Sequence, residues 1–134
     1  MVILAAAAAL IGLTVLATGC SKAAPTPTAT KTSPSPTTTT NQTAEGKRLY
    51  DSSCAACHKA TGEGGVKLGT ATSADLRWPA LGPTFKNDTA LVRRAILEGL
   101  DEEGKPLDVA MPKFQGRLTD AQADQIIAYL QTLK

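Results

Sequence analysis

The chain has 134 residues, enough for one folded domain and not for two, and its 14 basic and 12 acidic residues leave a charge of +2. Lys22 and Lys31 account for that excess, because from residue 44 onward twelve basic residues meet twelve acidic ones. No basic stripe with interleaved aromatic residues occurs, so nothing in the composition points to nucleic acid as a partner.

Residues 1–20, MVILAAAAALIGLTVLATGC, are almost wholly apolar. An apolar run closed by small residues is the middle and end of an export signal, and this one is short for a helix crossing roughly 30 Å of hydrocarbon. Ala17-Thr18-Gly19-Cys20 resembles a bacterial lipobox. That resemblance implies cleavage before Cys20 and a diacylglyceryl group on its sulfur. Two features depart from the usual pattern: Ala17 stands where Leu is commoner, and no Lys or Arg precedes the apolar run. An uncleaved N-terminal anchor, or an ordinary signal with Cys20 incidental, are the other readings. Lipidation would explain an odd thiol in an exported chain. The expectation is therefore an export signal over 1–19 and a lipid anchor at Cys20. It places the rest of the chain on the extracytoplasmic side of a bacterial membrane, periplasmic or on the external face.

Residues 20–43 are rich in Pro, Thr and Ser. Such a segment cannot bury enough apolar surface to offset its ordering entropy and reads as a disordered linker. Its prolines bias it toward extended conformations, so it reaches roughly 70 Å at about 3.1 Å per residue. Residues 44–134 have ordinary globular composition and form the only candidate domain. A core this small commonly leans on a metal or cofactor. Its aromatic residues are few: Tyr50, Trp78, Phe85, Phe114 and Tyr129.

A first helix is expected from about Ala44 to Ser53, capped by Thr43, with Glu45 favourable to its dipole. It delivers Cys54-Ala-Ala-Cys57-His58. A structural zinc site needs four ligands, and no second cysteine pair or histidine follows. A thioredoxin-like dithiol needs a strand-to-helix junction in a βαβ setting, and convincing strands are absent. A disulfide across two residues is strained and closes a loop too short to stabilise much. Covalent haem attachment fits every element of the motif. Each thiol can form a thioether with one haem vinyl group, and the adjacent His58 then stands beside the iron.

A long Gly- and Pro-containing loop follows over 59–87. A second helix runs from about Thr89 to Glu98, capped by Asp88, stopped by Gly99 and apolar along Leu91, Val92, Ala95 and Ile96. A second loop, 101–118, carries Met111, the only methionine outside the leader. Its thioether suits haem iron, and Pro112 keeps it out of helical conformation, free to enter a pocket from a loop. Core packing is the other use of such a residue. A third helix runs from about Asp120 to Leu133, opened by a Thr119/Gln122 capping box. Its single apolar stripe is Ala123, Ile126, Ile127, Leu130 and Leu133. Loops this long are tolerable where they wrap a large rigid cofactor.

Residues 44–134 resemble a class I c-type cytochrome. The resemblance rests on Cys54-Ala-Ala-Cys57-His58, the late Met111-Pro112 pair and a terminal helix ending Ile-Ile-Ala-Tyr-Leu. It implies an all-α fold of three main helices and long loops around one covalent haem c, with His58 and Met111 as the axial iron ligands. It also implies a close crossing of the first and last helices at Gly46, with Tyr50, Ile126 and Tyr129 beside it. A backbone carbonyl, of Pro79 or Pro83, is expected to hold the second nitrogen of His58. Trp78 and Arg77 could each hydrogen-bond the haem propionates, with simple packing or surface exposure as the other reading. Lys59, Lys67, Lys86 and Lys113 would steer acidic partners or be plain solvated charges.

With both axial positions filled, no site remains for a substrate. The function expected is single-electron transfer between donor and acceptor proteins of a respiratory or photosynthetic chain, not enzymatic catalysis. One alternative is a fixed haem subunit of a quinol-oxidising complex (alternative complex III type) or of an oxidase. An alternative of another class is a haem enzyme or gas sensor with a labile sixth ligand.

Overall fold

The computed structural model describes residues 36–134, with side chains from Thr39 onward. The export signal, Cys20 and residues 21–35 of the linker lie outside the described residues. In chain order come α1 (Pro36–Ser53), α2 (Ala55–His58), β1 (Lys67–Leu68), β2 (Ala71–Thr72), α3 (Trp78–Thr84), α4 (Thr89–Glu98) and α5 (Asp120–Leu130). Three of these are long, as expected; the others are a single turn, a seven-residue helix and an antiparallel pair of two-residue strands. Among the described residues no helix is long and apolar enough to cross a membrane.

The first helix corrects its expected start. It begins at Pro36, and Thr43 lies inside it, donating its hydroxyl to the Thr39 carbonyl at 3.0 Å instead of capping the helix. Proline suits a first helical turn, where its missing N–H is not needed. Once residues 44–53 are helical, adding threonines in front of them needs no new nucleus. The second long helix has the expected limits: the Asp88 carboxylate accepts from the Ala90 amide at 2.8 Å, and Gly99 closes the helix at φ 68°. The third has both halves of the Thr119/Gln122 capping box and ends at Leu130, three residues early, with Leu133 partly buried beyond it.

α1 packs against α5 at Gly46. A Cβ on that residue would stand 1.8 Å from the Gln125 carbonyl oxygen, so only a bare α-carbon lets the two backbones meet. Around the crossing lie Leu49, Tyr50, Ala123, Ile126, Ile127 and Leu130, all buried. α4 adds Val92, Ala95, Ile96 and Leu97 to the same core, joined by Leu81, Phe85 and Phe114.

Part of the expected 59–87 loop is helical. α3 holds two prolines and a glycine in seven residues, a composition that reads as loop. Pro79 sits in its first turn, and Ala80 and Leu81 both donate to the Arg77 carbonyl, at 3.0 and 2.9 Å. The 101–118 segment is irregular but stitched to the end of α4. Leu107, Phe114 and Gln115 donate to the carbonyls of Gly99, Ile96 and Leu97 at 2.8, 3.2 and 2.8 Å. Those carbonyls have no partner within the helix, so the loop carrying Met111 is fastened to a rigid element.

Replacing Gly46 by Ala is expected to lower stability by about 3 kcal/mol, the upper range for overpacking. Guanidinium unfolding of the purified variant checks this; no loss, or a gain of about 1 kcal/mol from the better helix propensity of alanine, would show that the helices part freely.

Candidate functional site

Cys54 interrupts the helical path. α1 ends at Ser53, Cys54 adopts φ −121° and ψ −37°, and α2 starts at Ala55. The amides of Cys57 and His58 then donate to the Cys54 carbonyl at 3.1 and 2.9 Å. This tight turn brings both sulfurs and the imidazole to one wall of a cavity. Lys59, at φ 62° and ψ 158°, ends α2 immediately after His58.

The cavity measures about 270 Å³. Cys54, Cys57 and His58 line it together with Met111, so the structure brings together four of the residues singled out from the sequence. The remaining walls are mostly apolar: Leu76, Leu81 and Phe85, then Val92, Ala95 and Ile96 of α4, and Ile126 and Leu130 of α5. Met111 enters on a turn in which the Asp108 carboxylate accepts from the Ala110 amide at 2.9 Å and the Asp108 carbonyl accepts from the Met111 amide, also at 2.9 Å.

His58 is the one buried polar side chain among the described residues, 7% exposed. Its Nδ1 lies 2.9 Å from the carbonyl oxygen of Ala74. A carbonyl only accepts, so Nδ1 carries the proton and Nε2 keeps a free lone pair. The carbonyl expected from Pro79 or Pro83 is therefore supplied by Ala74. The reason is local packing: Gly64, at φ 63°, sits against Ala74, where a Cβ would fall 2.1 Å from that same oxygen. The Gly64 amide donates to the His58 carbonyl at 3.1 Å, closing the loop on itself.

Two tyrosines reach the same loop from the helix crossing. Their rings lie 5.3 Å apart and tilted by 56°. The Tyr50 hydroxyl donates to the Lys59 carbonyl at 2.7 Å, and the Tyr129 hydroxyl to the Ala60 carbonyl at 3.5 Å. Burial, with smaller contributions from Cys54, Tyr129 and Asp51, pushes the Tyr50 phenol well above its usual range, so it stays a donor.

Trp78 and Arg77 are not among the residues lining the cavity. The Trp78 ring packs on Gly82, where a Cβ would come 3.1 Å from indole Nε1 and Cε2, and its amide donates to the Leu133 carbonyl at 3.2 Å. The Arg77 guanidinium is taken by Asp75, with Nη2 2.6 Å from Oδ2. The indole thus packs within α3, on Gly82, while the backbone of Trp78 is tied to the C-terminal residues.

The donor set fits a covalently held haem. Cys54 and Cys57 are free thiols. Burial, then the neighbouring Cys57, pushes the Cys54 thiol up to about 11, opposite to the depressed thiols of dithiol redox centres. Among the described residues no group of three or more His, Cys, Asp or Glu side chains gathers to hold a bare metal ion. What remains is an apolar cleft with two thiols, an imidazole oriented through one nitrogen and a thioether.

A family model described as Cytochrome c matches residues 43–134. The chain is 38% identical over 95 residues to cytochrome c-554(547) of Halothiobacillus neapolitanus, covering 68% of this chain and 96% of that protein. It is 32% identical over 89 residues to cytochrome c-555 of Prosthecochloris aestuarii, covering 65% and 83%. It is 31% identical over 87 residues to a cytochrome c6 of Synechococcus, covering 65% and 66%. No solved structure gives a significant match.

Tyr50→Phe removes one of the two donors to the Lys59 carbonyl, leaving the Gly62 amide at 3.1 Å, and is expected to lower stability by about 1 kcal/mol. Tyr129→Phe, whose bond is at the limit of length, is expected to lose less. Chemical unfolding of both variants checks the order; equal losses would contradict it.

Proposed function

The chain belongs to the cytochrome c family, carries one covalently attached haem c and transfers electrons without being an enzyme; from this we propose that it is a membrane-tethered one-electron carrier with His58 and Met111 as the axial ligands of its iron. The observation that carries the ligation is the convergence of Cys54, Cys57, His58 and Met111 on one apolar cavity, with His58 held at Nδ1 by the Ala74 carbonyl.

When bound, the haem supplies a one-electron ferric/ferrous couple. Cys54 and Cys57 hold it through thioethers. Ala74 accepts the Nδ1 proton of His58, leaving Nε2 to bind the metal and raising the basicity of the ring. Met111 offers a soft sulfur, which favours the ferrous state and raises the potential. The aliphatic walls from α4 and α5 exclude water and limit rearrangement on electron transfer. With His58 and Met111 both engaged, no open position would be left on the iron for a substrate, which suits a carrier. The electron donor and acceptor are redox proteins of a respiratory or photosynthetic chain.

Export and lipidation at Cys20 follow the sequence pattern of residues 1–20 and place the domain on the extracytoplasmic side of the membrane. The Pro- and Thr-rich segment then acts as a tether. Its described part is helical from Pro36.

In Met111→Ala the haem should stay attached while the midpoint potential falls and added imidazole or carbon monoxide binds the iron. An unchanged potential would place the sixth ligand elsewhere. Cys20→Ser should move the expressed protein from the membrane fraction to the soluble one; detergent-phase partitioning reads this, and continued membrane association would refute the lipid anchor.

A further inference from the structure

The carbonyl that accepts the His58 proton is followed directly by a carboxylate locked to a guanidinium. Asp75 Oδ1 accepts from the Arg77 amide at 2.9 Å. The Arg77 side chain returns to the same carboxylate, with Nε 3.0 and 3.1 Å from the two oxygens and Nη2 2.6 Å from Oδ2. Both the backbone and the side chain of Arg77 are thus tied to Asp75, which fixes the turn from 75 to 77. Between them, the Leu76 amide donates to the Gly62 carbonyl at 2.7 Å, anchoring the turn to the loop that follows His58. Neither Asp75 nor Arg77 lines the cavity.

We propose that the Asp75–Arg77 clasp is a positioning pair that holds the Ala74 carbonyl against Nδ1 of His58 and so sets the reduction potential of the centre. This rests on the reading of His58 as an iron ligand. A firm Nδ1–H···O=C bond makes the imidazole a stronger donor and stabilises ferric iron; a looser one lets the potential rise. Charge acting through space has the opposite sign at Arg77. Removing a cation near the iron destabilises the ferrous state less than the ferric only if geometry, not charge, governs. Arg77→Gln therefore separates the two causes by the direction of the shift. Arg77→Lys separates them again, because it keeps the charge and loses the planar fork.

The experiment is an optical redox titration of the matured, haem-loaded wild type and both variants. At the wild-type midpoint, Arg77→Gln and Arg77→Lys are expected to raise the ferrous-to-ferric ratio roughly three- to tenfold, within the range of outer-shell effects, tenfold being 59 mV for one electron. The sulfur-to-iron band should persist, showing that Met111 still binds. The His58 Nδ1 proton should exchange faster than in the wild type. A fall in Arg77→Gln, or no change in Arg77→Lys, overturns the proposal and leaves Arg77 as a through-space charge or a plain surface residue. A wild-type protein without a low-spin spectrum would instead overturn the ligation reading itself, and the clasp with it. Both variants alter a side chain that is 38% exposed, so folding is expected to survive; if Arg77→Gln does not accumulate, Arg77→Lys alone decides.

Discussion

A single hydrogen bond, from Nδ1 of His58 to the carbonyl of Ala74, is the constraint on which the arrangement of this protein depends. It decides which imidazole nitrogen is free, and it joins two stretches of chain sixteen residues apart. Without it a buried imidazole would be left with an unpartnered N–H, which is costly in an apolar setting. Much of the surrounding structure serves to keep that bond in place. Gly64 gives the Ala74 carbonyl room, the Gly64 amide closes on the His58 carbonyl, and the Tyr50 hydroxyl holds the left-handed Lys59 peptide that ends α2.

The helix crossing is connected to the site through the same residues. Gly46 lets α1 and α5 meet, and that contact brings Tyr50 and Tyr129 within 5.3 Å of each other. Their hydroxyls then point to consecutive carbonyls just past His58. A scaffold contact and a site contact are thus made by one pair of side chains. The loops follow a similar logic. The segment bearing Met111 is irregular, yet it is bonded to the open carbonyls at the end of α4, so its position is set by a helix. Long loops around a small core are consistent with the haem c that members of this family carry, a rigid apolar body that side chains do not have to replace.

Local chemistry was legible in the sequence and tertiary chemistry was not. The Cys54-Cys57-His58 spacing, the capping box at Thr119 and the Asp88 and Gly99 limits of α4 each depend on residues within four or five positions of one another. All appear in the structure where the pattern puts them. The close approach at Gly46 came through the family resemblance, and the structure shows its physical reason, a Cβ there meeting the Gln125 carbonyl. The partner of His58 was not legible, since every residue offers a carbonyl and a side-chain pattern carries no record of which one arrives. The bond from the Trp78 amide to the Leu133 carbonyl was not legible either, because the two residues are far apart in sequence. The threonines before residue 44 read as linker by composition, yet they continue a helix that packing further along has already nucleated.

The central claim is that one iron porphyrin lies between His58 and Met111. Proton magnetic resonance of the reduced, matured protein tests it most directly, because the ring current of the macrocycle displaces the signals of groups held over its faces. The account predicts a Met111 methyl resonance far upfield of any ordinary methionine, together with displaced His58 ring protons and an Nδ1 proton that exchanges slowly. A Met111 methyl at its ordinary position would contradict it.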